Sequence, residues 1–360
     1  MTIRKNALFM NYTGNTYHWG CYGTSVEIYD TLIERGYVVT TSTVTESHSI
    51  NPTPISLESF DDEDFLRSYI DQNAALLFAI RDSDVVVVNG EGTLHRFSPG
   101  SLNLLYAMYV ARTRLNKPVY LINHSLYPSG SPAPMEPNDT IYKHVLSKLT
   151  RIVSREPFST GIYERLGISA IQGFDSLPRY IHRHGLPLHA PHGYLCLSAG
   201  VAMNENSSEA MARAVKRVAG DRPIRFLVGA RANPAAEDIP LYRQMRAVLP
   251  QLELVDATTI DEWVNTISQA DCLISARFHH TIAAFAVGTP VVSLSSNTWK
   301  INGLCQLVDQ PAPISLDLGD IEERVSTALS AALTCGLGLD EAKRRYLRDL
   351  AALNFEGLEG

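Results

Sequence analysis

The stretch DCLISARFHHTIAAFAVGTPVV, residues 271 to 292, sets an arginine and two histidines between two apolar runs. Arg277 falls at the carboxyl end of the run CLISA. A guanidinium there can grip a carboxylate or a phosphate through two parallel hydrogen bonds. His279 falls in the first turn of the helix that TIAAFAVG predicts, closed by Gly288 and Pro290. The positive end of a helix dipole disfavours an imidazolium. That place suits a neutral imidazole that takes or gives a proton near pH 7. His280, next in the chain, is assigned to packing and hydrogen bonding.

Four further places carry polar groups directly after an apolar run, where open α/β sheets bind ligands. After DVVVV comes NGEGTLH, residues 89 to 95. Gly90 and Gly92 allow a tight turn and a close backbone approach, with a helix expected to start near the turn and offer N–H groups to an anion. Glu91, Thr93 and His95 are bunched beside them. After PVYLI comes NHS, where Asn123 and Ser125 can orient a polar ligand or begin a turn. After RIVS comes Arg155, where strand becomes helix; a salt bridge with Glu156 or Glu164 is the competing role. After PVVSL come Ser295, Ser296 and Asn297, followed by Lys300, a point-charge clamp for an anion or a surface lysine. Arg155, Arg277 and Lys300 around His279 suit a small, highly charged anion, one molecule bearing both phosphate and carboxylate.

Positioning such groups takes strands with buried ends. NALFMNY, YVVTTSTV, DVVVVNG, PVYLINHS and RIVSRE read as strands, as do GYLCLSAG, IRFLVGA, LELVDA, CLISA and PVVSLSS. Several are apolar throughout, as parallel strands covered on both faces must be. Amphipathic stretches such as 101–115 and 206–219 lie between them. This alternation predicts an α/β fold of two Rossmann-like, doubly wound domains facing a central cleft. The period breaks at SLPRYIHRHGLPLHAPHG, residues 176 to 193, read as the linker. The expected domains are 1–185 and 190–335, with 336–360 a C-terminal helix that packs back on the first.

The chain has 360 residues, 45% hydrophobic and 19% charged, enough for two cores. A formal charge of −7 does not favour a nucleic-acid partner. Cys21, Cys196, Cys272, Cys305 and Cys335 form no CxxC pair, which argues against a disulfide framework or a structural zinc site. A zinc cluster of His182, His184, His189 and His192 is disfavoured, because a proline-rich linker holds ligands poorly. No apolar run approaches the ~20 residues that cross a bilayer. A cytoplasmic protein is expected, with the inner face of the membrane as the place for any peripheral contact.

These residues resemble the polysaccharide pyruvyltransferase family, over roughly residues 10 to 310 on the usual length of two domains. SARFHHTIAAFAVGTPVV resembles its Ser-x-Arg-Leu-His segment, helix and Gly-x-Pro-Val. VVNGEGTLH is similar to its strand and Gly-rich turn, SREPFSTGIYERLGI to its Arg-x-x-x-Ser…Leu-Gly element, and SSNTWKINGL to its late lysine segment. GFDSL, with Asp175, is similar to its aspartate-bearing strand end. The sequence departs from the family at YHWGCYGTSVEI. Many members carry Asn-x-Gly-Asp there, whereas here Gly20 is kept and His18 and Cys21 take the polar positions. Cys21 is expected to be a buried thiol.

The resemblance implies a GT-B-like fold with an acceptor side in the first domain and a donor side in the second. The donor would be phosphoenolpyruvate, and the acceptor a sugar that is part of an oligosaccharide, lipid-linked or nucleotide-linked. The product would be a cyclic pyruvate ketal in a cell-surface glycan or its precursor, with phosphate released and no cofactor or metal. By resemblance Arg155 and Arg277 bind the donor's anionic groups with help from Lys300. His279 is the acid/base candidate, and Glu91 or Asp175 the base for an acceptor hydroxyl. Two other readings stay open: a nucleotide-sugar glycosyltransferase of the same architecture, and a non-catalytic glycan- or anion-binding protein.

Overall fold

The computed structural model describes residues 4–15, 18–229, 238–317, 319–336 and 338–360. The chain forms two compact units, one made of Met1–Asn15, Ser25–Ser176 and Leu350–Gly360, the other of Thr16–Thr24 and Leu177–Asp349. They are called unit 1 and unit 2 below.

Unit 1 is built on strands β1 (Asn6–Tyr12), β2 (Val38–Thr43), β3 (Val85–Glu91), β4 (Val119–His124), β5 (Arg151–Ser154) and β6 (Ile171–Gln172). They pair in parallel in the order β2-β1-β3-β4-β5-β6. Valine-rich β3 is buried along its whole length, which a parallel strand covered on both faces requires. Alternate residues feed two cores. Leu8, Met10, Val86 and Val88 pack with the helix Pro99–Thr113 on one face. Ala7, Phe9, Val85 and Val87 pack with Ile28, Leu32, Phe355 and Leu358 on the other.

Unit 2 holds β7 (Leu195–Ser198), β8 (Ile224–Leu227), β9 (Leu252–Val255), β10 (Cys272–Ser275) and β11 (Val291–Ser293). All are parallel, in the order β11-β10-β7-β8-β9. Strand order reverses direction between β1 and β3 in unit 1 and between β7 and β10 in unit 2. Open α/β sheets bind ligands outside the carboxyl ends at such switch points.

Three expectations change. The segment 176–193 is not a loose linker. The helix Leu177–Arg183 opens unit 2, and beyond it the backbone N–H groups of His189, Ala190 and His192 donate to the carbonyls of Val287, Ser268 and Gln269. The boundary therefore falls at Ser176/Leu177 rather than at 185–190. The C-terminal stretch divides as well. Most of the helix Glu341–Ala352 counts with unit 2, and Leu350–Gly360 with unit 1. Finally, the helix after the NGEGTLH turn does not start at the turn. It begins at Pro99, with Ser98 and Ser101 forming a reciprocal cap. The glycine turn therefore presents no helix N-terminus to an anion.

Candidate functional site

In unit 1 the ends of three neighbouring strands are held in left-handed backbone: Asn11 at φ 60°, Glu91 at 39° and Asn123 at 52°. Such conformations are costly for residues with a Cβ and collect at functional sites. Here hydrogen bonds hold them. Asn11 Nδ2 donates to the Asn89 carbonyl at 2.6 Å and to Thr93 Oγ1 at 3.2 Å. Glu91 Oε1 accepts from Thr13 Oγ1 at 2.5 Å and from Asn89 Nδ2 at 3.0 Å. Thr13 and Ser25 share a hydroxyl contact at 2.7 Å, and Asn89 also donates to Ser25 at 3.1 Å. Asn123 donates to Asn89 Oδ1 at 2.8 Å, and its own Oδ1 accepts from the Ser176 amide at 2.9 Å. The Asn123 amide is met by Asn354 Oδ1 at 2.9 Å.

The left-handed residue of the turn is Glu91, and of the two glycines Gly90 is the one required sterically. A Cβ on Gly90 would press on the His124 side chain, and one on Gly92 would face Arg155. Arg155 is almost fully buried. It donates from Nε to Ser125 Oγ at 3.1 Å and from NH1 to Asp175 Oδ2 at 2.9 Å. Its carboxylate partner is thus Asp175, while Glu156 caps the helix Pro157–Leu166. Ser125 is a partner of Arg155, and its amide donates to the Glu91 carbonyl at 2.8 Å. Asp175 has no exposed surface. Its placement orients Arg155 and does not offer a carboxylate to solvent. His124 lies buried with Nε2 at 2.6 Å from the Tyr163 hydroxyl. Burial, reinforced by Arg155, pushes its pKa down to about 3.

In unit 2, Arg277 leaves β10 as the N-cap of the helix Phe278–Val287, which Gly288 closes in left-handed backbone at φ 88°. The Arg277 guanidinium pairs with Asp238, whose Oδ2 also accepts from the Gly229 amide at 2.6 Å. Any side chain at Gly229 would strike Arg277, and any at Gly200, just beyond β7, would strike Ala276. His279 is half-buried in the first helical turn, its ring centroid 5.3 Å from that of Phe278. The Lys300 ammonium stands 5.5 Å from the Phe278 ring centre and starts the helix Lys300–Leu307. Ser296 donates to Asn297 Oδ1 at 3.2 Å in the segment before that helix. His280 is a packed residue: Trp263 Nε1 donates to its Nε2 at 3.1 Å, and burial beside Arg277 lowers its pKa well below the ordinary value.

The start of the helix Trp19–Glu34 also belongs to unit 2. Gly20 lies so close to His279 that a Cβ would fall on the histidine's own Cβ. Cys21 Sγ is 3.6 Å from His279 Nδ1, and Trp19 Nε1 donates to the Ala257 carbonyl at 3.0 Å. Cys21 is half-buried rather than sealed in a core.

Two groupings emerge: Glu91, Asn123, Ser125, Arg155 and Asp175 with Gly90 and Gly92 in unit 1, and Arg277, His279 and Lys300 in unit 2. The sequence reading missed Asn11, Thr13, Ser25, Asn89, Asn354 and Asp238. Asn89 stands inside the quoted turn and could have been found there. Asn354 and Asp238 stand in amphipathic helical surroundings with no local signal. Among the described residues no cluster of three or more His, Cys, Asp or Glu is arranged to hold a metal ion. No helix among them is long and apolar enough to cross a membrane.

Residues 28–298 match the family model for polysaccharide pyruvyl transferase, and the chain belongs to that family. No curated protein matches it. Among solved structures it is similar to Anabaena Alr3699/HepE in complex with UDP and glucose, at 12% identity and TM-score 0.53, over 99% of this chain and 96% of that one. It is similar to S. aureus MnaA bound to UDP, at 11% identity and TM-score 0.55, over 96% and 91%. Methanocaldococcus jannaschii UDP-GlcNAc 2-epimerase, in complex with UDP-GlcNAc and UDP, gives 12% identity and TM-score 0.51, over 96% and 98%. These likenesses show the fold, which is GT-B-like.

Proposed function

We propose that this member of the family transfers pyruvate from phosphoenolpyruvate to two hydroxyls of one sugar, in a cell-surface glycan or its precursor. The product is a cyclic ketal, and inorganic phosphate leaves. The observation that carries the reading is the set Arg277, His279 and Lys300, gathered about Phe278 at a strand end beside a topological switch point. Phosphoenolpyruvate carries a carboxylate and a phosphate on adjacent atoms, which suits two fixed cations. Asp238 pairs with Arg277 and orients its guanidinium, a group whose planar fork suits carboxylate and phosphate oxygens.

In the proposed reaction His279 gives a proton to C3 of the donor, and C2 becomes electrophilic. A sugar hydroxyl adds to C2, and its proton returns to the imidazole. The second hydroxyl then displaces phosphate, and its proton passes by way of the Glu91 carboxylate to the departing phosphate. No cofactor and no metal take part beyond the donor itself. Glu91 is the base for an acceptor hydroxyl in unit 1. Its Oε1 is held by Thr13 and Asn89, whereas Oε2 accepts no hydrogen bond among the described residues. Asn123 and Ser125 line the same strand ends, and Arg155, fixed by Asp175, is the cation among them. Ser296 and Asn297 are the polar groups before Lys300 that contact the donor.

The test incubates the protein with phosphoenolpyruvate and a panel of sugar acceptors. Expected are phosphate release and an acceptor mass gain of one pyruvate less water. Release of UDP from a UDP-sugar, with phosphoenolpyruvate inert, would replace this reading with glycosyl transfer. Tight binding of glycans with no turnover of any donor would make the protein a binder.

A further inference from the structure

We propose that Cys21 and His279 form a thiol–imidazole dyad, in which Cys21 positions His279 and carries a second proton. The inference rests on the reading above for the reaction, but not for the geometry. Sγ of Cys21 lies 3.6 Å from Nδ1 of His279, within reach of a sulfur hydrogen bond. The contact is built in rather than incidental. Gly20, having no Cβ, lets the first turn of the helix Trp19–Glu34 lie directly on the His279 side chain. Trp19 anchors that turn to the Ala257 carbonyl, and Gly23 packs against Ile260, Leu177 and Tyr180. His279 in turn is fixed at the start of its own helix, between Phe278 and His280. His18, Arg277 and Lys300 are among the titratable or charged side chains of this neighbourhood, and His18, Arg277 and His279 all act on buried His280.

A thiol at this place decides which ring nitrogen of His279 carries the proton. With Sγ–H donating to Nδ1, the neutral ring holds its proton on Nε2. When Nε2 gives that proton to C3 of phosphoenolpyruvate, Nδ1 takes the thiol proton and Sγ is left as thiolate. The proton from the attacking sugar hydroxyl restores Nε2–H, and Nδ1 returns its own to sulfur. Two protons move in each direction, and no oxidant or further reactant is needed. The negative charge that forms on Sγ lies in the first turn of a helix, where the dipole favours it.

The dyad is tested by the tautomer of His279, read from ¹⁵N-histidine spectra with the signal assigned by loss in His279→Gln. The unaltered protein should show the Nε2–H form. Cys21→Ala should shift His279 toward Nδ1–H or a mixture. Cys21→Ser, which keeps a donor, should restore Nε2–H. In the pyruvyl transfer assay Cys21→Ala should lose about 10²-fold or more in kcat with KM unchanged, and Cys21→Ser should recover part of the loss. Matched thermal unfolding midpoints show that the variants are folded. An unchanged His279 tautomer in folded Cys21→Ala overturns the dyad, whatever the assay shows. The expected tautomer shift in a protein that never turns over phosphoenolpyruvate supports the dyad and sinks the proposed reaction instead.

Discussion

The Thr13 hydroxyl donates to Glu91 Oε1 across 2.5 Å, tying the ends of β1 and β3 where the strand order reverses. The carboxylate is thereby fixed by the very strands that make the crevice. Glu91→Gln keeps the shape and removes the base. It should lower the rate of pyruvyl transfer about 10²–10⁴-fold with little change in KM for phosphoenolpyruvate. Thr13→Val removes the hydrogen bond to Glu91 together with the Ser25 hydroxyl contact and should cost about 1.5–3 kcal/mol, read as a smaller fall in kcat/KM. Equal activity in Glu91→Gln and the unaltered enzyme would remove Glu91 from the chemistry.

Donor binding separates from proton transfer in unit 2. Arg277→Ala should weaken phosphoenolpyruvate binding by about 1.5–3 kcal/mol, the scale of a charged hydrogen bond, and titration calorimetry measures it directly. Lys300→Ala should weaken it less, because an ammonium beside a ring is a single point charge. His279→Ala should leave binding nearly intact and remove turnover. Binding unaffected by Arg277→Ala would mean that the donor anion lies elsewhere.

Asp175 and Arg155 form a buried pair, and removal of one charge leaves the other stranded. Asp175→Ala should therefore cost about 3–5 kcal/mol in stability, seen as a lower urea midpoint. A carboxylate acting as a base toward substrate would give the opposite pattern, in which activity is lost and the midpoint is kept. That comparison decides between the base expected from the sequence and the orienting role that the buried pair supports.

Two histidines make the fold acid-sensitive. Burial holds His124 at about 3 and His280 well below its ordinary value, whereas in the unfolded chain both titrate near 6.5. Below pH 6.5 the unfolded chain binds more protons than the folded one. Stability is thus fully present above that pH and falls as the pH drops, by up to about 1.4 kcal/mol per pH unit for each histidine. Urea titrations at pH 7.5, 6 and 5 should show the decline. His280→Gln keeps an acceptor for Trp263 and should make the decline shallower, with the His124 contribution remaining. A pH-independent midpoint over this range would mean that neither imidazole is sealed as described.

Much of the scaffold was legible. Ten of the strands stand at the β-rich runs of the sequence, and those buried on both faces, such as β3, β7 and β10, read as apolar runs for that reason, whereas β2 and β9 are largely exposed. The exception is β6, whose two residues are too few to show a pattern. The helix from Phe278 was readable from its Gly288 and Pro290 stop, and the packed role of His280 from having a neighbour better placed for chemistry. What escaped was long-range pairing. Asp238 reaches Arg277 and Asp175 reaches Arg155 from distant parts of the chain, and neither spacing carries a local signal. The backbone strain at Asn11, Glu91 and Asn123 was hidden for the same reason, because the groups that hold it come from other strands. The segment 176–193 misled because proline and glycine mark turns without saying whether the turns are bonded to a neighbour.

The eleven residues from Leu350 pack on one face of a sheet whose first strand starts at Asn6. Asn354 meets the Asn123 amide, Arg35 donates to the carbonyls of Phe355 and Leu358, and Phe355 and Leu358 fill one of the sheet's two cores. During vectorial synthesis on the ribosome, unit 1 is therefore the earlier to emerge and the later to be finished. Until Leu350–Gly360 leave the exit tunnel, one face of its sheet is covered only in part, by Ile28, Leu32 and Tyr37, and the left-handed turn at Asn123 lacks its tether. A nonsense codon that trimmed this short segment would spare every residue of unit 2, yet deprive the growing protein of the latch for its first-made half.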